Sequence, residues 1–283
     1  MIAIGIDGRY IALGGHHSGV RVFDLGNLAL VKRAKRTGSL NDLQFGLDSD
    51  TLAIADSNLS VVSISGRFPD RRIRSDEANY GSIRFGANDR LLLTVNGKGA
   101  VLVIDLDSLA ARRLHCCTSI WGDVALTKDN TRVLWAGHWP GMVDLKSGAL
   151  LGRLTPEREN MTFGPISLGA GESVYLGSQD GRVYGWNLAT KTLESKSPPQ
   201  PGYVRTIAAL GQTGWLAFAD EEGQVRLWNP VTGEVRGVNG AATTTNLVYQ
   251  ASRGLTVFGA LNGRVQFWDL LEERLVDEIQ VLH

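Results

Sequence analysis

One short motif returns through this chain at a nearly fixed spacing: Gly-x-Val, two further residues, then Trp-Asp or Trp-Asn. Its clearest copies are Gly181-Arg182-Val183 with Trp186-Asn187, Gly223-Gln224-Val225 with Trp228-Asn229, and Gly263-Arg264-Val265 with Trp268-Asp269. Weaker copies end at Phe23-Asp24, Val62-Ser63, Ile104-Asp105 and Val143-Asp144, and successive copies are 39 to 43 residues apart. Such a repeat is one supersecondary unit that cannot bury its apolar face alone, so the copies must stack.

Each period divides into four short β-branched and aromatic runs bounded by Gly, Asn and Asp, the pattern of strands joined by tight turns. In the first period the runs are residues 2–6, 10–15, 19–25 and 28–33; in the last they are 246–249, 255–259, 264–270 and 274–281. The turns between second and third strands fall at residues 56–58, 96–99, 138–141, 178–181 and 220–223. The spacing therefore predicts an all-β, seven-bladed β-propeller with four antiparallel strands, a to d, per blade. Its blades cover roughly residues 1–36, 37–76, 77–115, 116–156, 157–198, 199–240 and 241–283, as one domain. Every blade is one contiguous segment, so no strand is exchanged between the termini at closure. The seam between blades 1 and 7 is then expected to open more easily than the others. Trp139-Pro140-Gly141 is expected to shorten strand c of blade 4, because proline cannot donate to the ladder.

The motif residues have structural roles. The glycine relieves the b–c turn, where positive φ is expected. The Trp or its substitute fills the space between neighbouring blades. The Asp or Asn caps the c–d turn through side-chain to backbone hydrogen bonds.

These residues resemble WD repeats, and the resemblance spans the whole chain. It implies a propeller that serves as a platform for protein complexes. One departure matters for packing. The Gly-His dipeptide that usually precedes strand a is missing, and Gly137-His138 lies in a b–c turn instead. The buried Asp-His-Ser/Thr-Trp network cannot form in full, so blade packing must rest on apolar contact.

Composition narrows the function. The chain of 283 residues carries 29 basic and 29 acidic side chains, and this balance gives no general attraction to nucleic acid. Charge is uneven along it: residues 1–115 hold fifteen basic and twelve acidic side chains, residues 194–283 seven and ten. The two cysteines, Cys116 and Cys117, are adjacent and cannot easily bridge, which suits a reducing compartment. The N-terminal residues lack the basic start of a signal peptide, and no apolar run is long enough to span a membrane. A cytoplasmic location is expected.

Catalytic and metal-binding patterns are weak. His16, His17, His115 and His138 lack partners at ligating spacing. Asp220-Glu221-Glu222-Gly223 lacks the alternating carboxylates of a calcium loop and reads as an acidic turn. No metal, cofactor or catalytic residue is expected, and the chain reads as a non-enzyme.

Interaction chemistry is richer. The b–c and d–a loops emerge on one face, and their aromatic and arginine residues are not needed for the blade core. Tyr80, Trp121, His138, Trp139, Tyr203 and Arg205 are the expected partner-binding set, being the side-chain types that anchor interfaces. A second set lies in or beside the outer strands of blades 1 to 3: Lys32, Arg33, Arg71, Arg72, Arg74, Arg112 and Arg113. Such charges guard sheet edges, and an alternative use is to dock an acidic partner or nucleic-acid backbone. A further alternative is an enzyme or small-molecule binder using the central channel, for which Asp42, Arg84, Asp123 and Arg205 are nearest to qualifying. One or more protein partners are expected; the sequence leaves their identity and the oligomeric state open.

Overall fold

Seven sheets, each of four consecutive antiparallel strands, follow one another along the chain. In this computed structural model the described residues are 1–15, 19–35, 38–73, 80–86, 89–96, 98–114, 122–154, 161–241, 243–260 and 263–280. The fold is an all-β, seven-bladed β-propeller. Among the described residues no blade borrows a strand from elsewhere: blade 1 and blade 7 are each built from their own four strands in sequence order.

The a strands are Ile2–Ile4, Asp42–Phe45, Tyr80–Phe85, Val124–Leu126, Phe163–Leu168, Val204–Ala209 and Thr244–Gln250. The d strands, one edge of each sheet, are Leu30–Ala34, Arg71–Ile73, Ala111–Leu114, Leu150–Arg153, Leu193–Lys196, Val235–Gly237 and Arg274–Gln280. Strand c of blade 4 is Gly141–Asp144, starting directly after Pro140 as the proline requires.

The motif residues take their expected places. Gly181, Gly223 and Gly263 have φ of 76°, 79° and 78°. Asn229 Oδ1 accepts from the backbone N–H groups of Val231 and Thr232, and Asn187 Oδ1 from those of Ala189 and Thr190. Blade 2 carries Ser63 at this place, and Asp50 takes over part of the work. One oxygen of Asp50 accepts from the Ser65 N–H at 2.7 Å, and the other from the Ser63 hydroxyl at 2.7 Å.

By proximity the chain divides into two compact units, one containing blades 1 to 3 and the other blades 5 to 7, with the residues of blade 4 shared out between them. Within the first, one apolar cluster joins blades 1 and 2 through Val22, Leu43, Phe45 and Ile54, and another joins blades 2 and 3 through Leu59, Ile73, Ile83 and Leu92. Within the second, Trp186 packs with Leu134 and Met142 of blade 4, Trp228 with blade 5, and Trp268 with Leu210 and Ala217 of blade 6. The Tyr175 and Trp228 rings meet edge to face at 6.1 Å. The Trp positions thus fill the gaps between blades.

The expected loss of the polar network is visible at Trp228, whose buried Nε1 has no hydrogen-bond partner. Trp268 keeps a substitute: its Nε1 donates to Gln266 Oε1 at 3.2 Å.

Candidate functional site

In the second unit the b–c turns and the d–a loops are knitted into one surface. The Gly137 and Phe163 N–H groups each donate to the other's carbonyl, the Gln200 N–H donates to the carbonyl of Gly181, and the Thr244 N–H to that of Gly223. Each turn of one blade is thereby tied to the chain entering the next.

Among the described residues, blade 4 contributes the most exposed aromatic side chain of this surface. Trp139 is 60% exposed, yet its backbone is fixed. Its carbonyl accepts from Trp135 Nε1 at 2.8 Å and from Arg153 Nη1 at 3.0 Å, and the Arg153 guanidinium lies 5.4 Å from the centre of a Trp135 ring. Trp135 itself is buried at the end of strand b. Beside Trp139, exposed His138 shares a 2.9 Å hydrogen bond between its Nδ1 and Thr162 Oγ1. A large indole is therefore held out in solvent by a turn that has little freedom to fold it away.

Between blades 5 and 6, Tyr203 is 40% exposed immediately before strand a. Arg205 follows one residue inside that strand and is exposed. Val204 pairs with Asp220 and Thr206 with Ala219, so Arg205 is the extra residue of a β-bulge. A bulge re-aims a side chain that regular alternation would have buried or fixed. Similar slips occur at the start of strand a in blades 3, 5 and 7.

Glu221, read from the sequence as part of an acidic turn and not as a partner-binding residue, has its side chain against Gly202 beside Tyr203. In the acidic turn it belongs to, both oxygens of Asp220 have partners within the protein. Asp220 is buried, and one of its oxygens meets Arg226 Nη1 at 2.6 Å. The other oxygen accepts from the Glu222 and Gln224 N–H groups of its own turn.

One member of the expected set falls elsewhere, and another is not among the described residues. Tyr80 is 1% exposed, because it begins strand a of blade 3 instead of preceding it, and it packs with Ile83 and Leu92. It offers no surface to a partner. Trp121 lies outside the described residues, as do His16, His17, His115, Cys116, Cys117 and Arg74.

The outer basic residues divide into two groups. Arg71 Nη1 donates to the Leu106 carbonyl at 2.8 Å with its guanidinium over the Phe68 ring, Arg112 Nη2 donates to the Leu145 carbonyl at 2.5 Å, and Lys32 Nζ meets Asp70 at 2.8 Å. These three clamp one blade to the next. Arg33, Arg72 and Arg113 are exposed and occupy equivalent places, each directly before the buried last residue of its d strand, Ala34, Ile73 and Leu114.

The ionisable residues proposed for a channel are likewise engaged in packing. Asp42 Oδ2 accepts from the Ile83 N–H at 2.9 Å and Arg84 Nη1 at 3.0 Å. Asp123, its counterpart two blades on, accepts from the Ile166 N–H at 3.2 Å.

The fold defines the class as a seven-bladed β-propeller. Compared with known proteins, the chain matches no protein-family model and no curated sequence.

Proposed function

We propose that this chain is a non-catalytic recognition platform, a degenerate WD-repeat propeller acting in the cytoplasm, that binds a protein or peptide on its loop face. The observation carrying this reading is Trp139, a mostly exposed indole on a turn fixed by two hydrogen bonds to its own carbonyl. A rigid exposed aromatic loses little conformational entropy on binding, and Trp, Tyr and Arg are the usual anchors of interfaces. His138, Tyr203 and Arg205 extend the same surface. Recognition is by presentation: the indole enters a pocket of the partner, while Arg205 and Glu221 select its charge.

Crosslinking pull-down from native extract tests the reading, with three baits run side by side. One is wild type, one carries Trp139→Ala with Tyr203→Ala, and one carries Leu109→Ala at an exposed position in a c–d turn of the first unit. A protein recovered by wild type and the Leu109 variant, and lost by the loop-face variant at unchanged thermal stability, supports the reading. Equal recovery by all three removes it.

A further inference from the structure

The seven outer strands are not alike. Five are three or four residues long, the length at which an exposed sheet edge offers little to pair with. The two exceptions belong to the terminal blades: Leu30–Ala34 in blade 1 has five residues and Arg274–Gln280 in blade 7 has seven. Both are sheet edges, with their own strand c on one side only.

These two strands also share a pattern. Each has two adjacent, large apolar residues on the surface, Leu30-Val31 and Leu275-Val276, all 39 to 41% exposed. Among the described residues no other outer strand has such a pair. In both strands the second of the two sits at a bulge, since Val22 pairs with Lys32 and Phe23 with Leu30, while Phe267 pairs with Asp277 and Trp268 with Leu275. After the apolar pair come two like charges, basic in blade 1 (Lys32-Arg33) and acidic in blade 7 (Asp277-Glu278).

We propose that these two edges bind each other between copies of the chain, the blade 1 edge of one molecule adding to the blade 7 edge of another. The occupant is named by complementarity. Running in the same direction, the strands place Leu30 and Val31 beside Leu275 and Val276, Lys32 opposite Asp277, and Arg33 opposite Glu278. Running oppositely, they match the charges, Lys32 with Glu278 and Arg33 with Asp277, only in a register that sets Leu30 against Gln280 and leaves Leu275 and Val276 away from the apolar pair of blade 1. Like edges repel, blade 1 with blade 1 and blade 7 with blade 7, so only the unlike pairing is favoured. Backbone hydrogen bonding between the edges supplies affinity, and the charges supply the choice of partner. A short strand pairing is a small interface, which points to reversible association in the micromolar range or weaker. Because each molecule offers one edge of each kind, two such contacts made reciprocally close a dimer, and otherwise the contacts continue into chains. The inference is independent of the loop face.

Sedimentation velocity over a concentration series at low salt tests it. Wild type is expected to self-associate, and high salt is expected to weaken the association. Lys32→Glu with Arg33→Glu, and separately Asp277→Lys with Glu278→Lys, should each weaken it by about tenfold or more. An equal mixture of the two variants, and the single chain carrying all four changes, should both recover it. Lys32 also holds Asp70, and Glu278 accepts from Gln266, so each reversed pair disturbs its own blade. Arg33→Glu and Asp277→Lys, each alone, therefore repeat the loss in chains whose melting temperature matches wild type. Wild type that stays monomeric at every concentration overturns the proposal. So does association that the reversals leave unchanged, or a mixture that fails to recover it.

Discussion

Asp42 and Ile83, 41 residues apart, are joined by a 2.9 Å hydrogen bond in which the backbone N–H of one a strand donates to the carboxylate of the a strand before it. Asp123 and Ile166 repeat the arrangement in blades 4 and 5, and Gln44 Oε1 and Ser167 Oγ do the same for the N–H groups of Phe85 and Ala209. Among the described residues, the a strands that these bonds join have no ladder between them. These side chains take the place of one, giving partners to N–H groups that the bulges and blade edges would leave over.

Asp42→Ala is therefore expected to destabilise the fold by about 1–3 kcal/mol, the cost of leaving a largely buried donor unsatisfied. Asp123→Ala should cost a similar amount, and the two should add, since they share no partner. Urea unfolding measures both. If either carboxylate served chemistry in a channel instead, its loss would leave stability near wild type.

The two surviving tryptophans of blades 6 and 7 should respond differently to the same change. Trp228→Phe removes bulk but also an indole N–H that has no acceptor. Trp268→Phe removes similar bulk and takes a donor away from buried Gln266 Oε1. The second substitution is expected to cost about 1 kcal/mol more than the first. Equal costs in thermal melts would mean that the Trp228 N–H is satisfied in solution.

Much of this fold is written locally. A strand, a turn glycine, a strand and a capping Asp or Asn lie within a dozen residues of one another, so their pattern can be read along the chain, and the observed strands follow it closely. Blade 2 shows how local chemistry tolerates a lost letter, with Asp50 serving the turn that Ser63 caps incompletely. The contacts that Asp42, Asp123, Arg71 and Arg112 make between blades join residues 33 to 43 positions apart and leave no such pattern. For that reason Asp42 and Asp123 read as free ionisable groups, and Arg71 and Arg112 as free surface charges, although each reaches the next blade. Tyr80 failed for another reason. A bulge at Gly81 and Ser82 lets strand a start earlier than alternation suggests, and this carries the ring inward. Trp139 was legible because Pro140 interrupts its strand. The clamp that fixes it was not, because neither Trp135 nor Arg153 carries a mark of that carbonyl.

Gly181 should prove the least replaceable of the turn glycines of the second unit for loop-face geometry. Its φ is 76°, and a Cβ there would stand 2.7 Å from the Gly202 carbonyl oxygen and closer still to that of Gln200. Gly214 has a similar φ of 79° but nothing within 4 Å. Gly214→Ala bears only the left-handed backbone cost of about 1–2 kcal/mol. Gly181→Ala adds the displacement of a backbone segment that leads into Tyr203, and should cost about 2 kcal/mol more. Melting temperatures of the pair separate backbone strain from crowding.

Acid should loosen blade 4 through Asp129. Hydrogen bonds from the hydroxyls of Thr127 and Thr131, and from the Thr131 N–H, lower its pKa from 3.8 to about 2. In the unfolded chain the carboxyl regains its ordinary value, so between these two pH values the unfolded state holds more protons than the folded one. The stabilisation is complete above the unfolded pKa and is lost as pH falls through the folded value. Asp129 is at the surface, so the effect is small and salt reduces it. Asp129→Asn should therefore lower the melting temperature at neutral pH by more than it does near pH 2, where the wild-type carboxyl is itself half protonated. A difference between variant and wild type that stays constant from pH 7 to about 2 would mean that the threonine hydroxyls do not hold the charged form in solution.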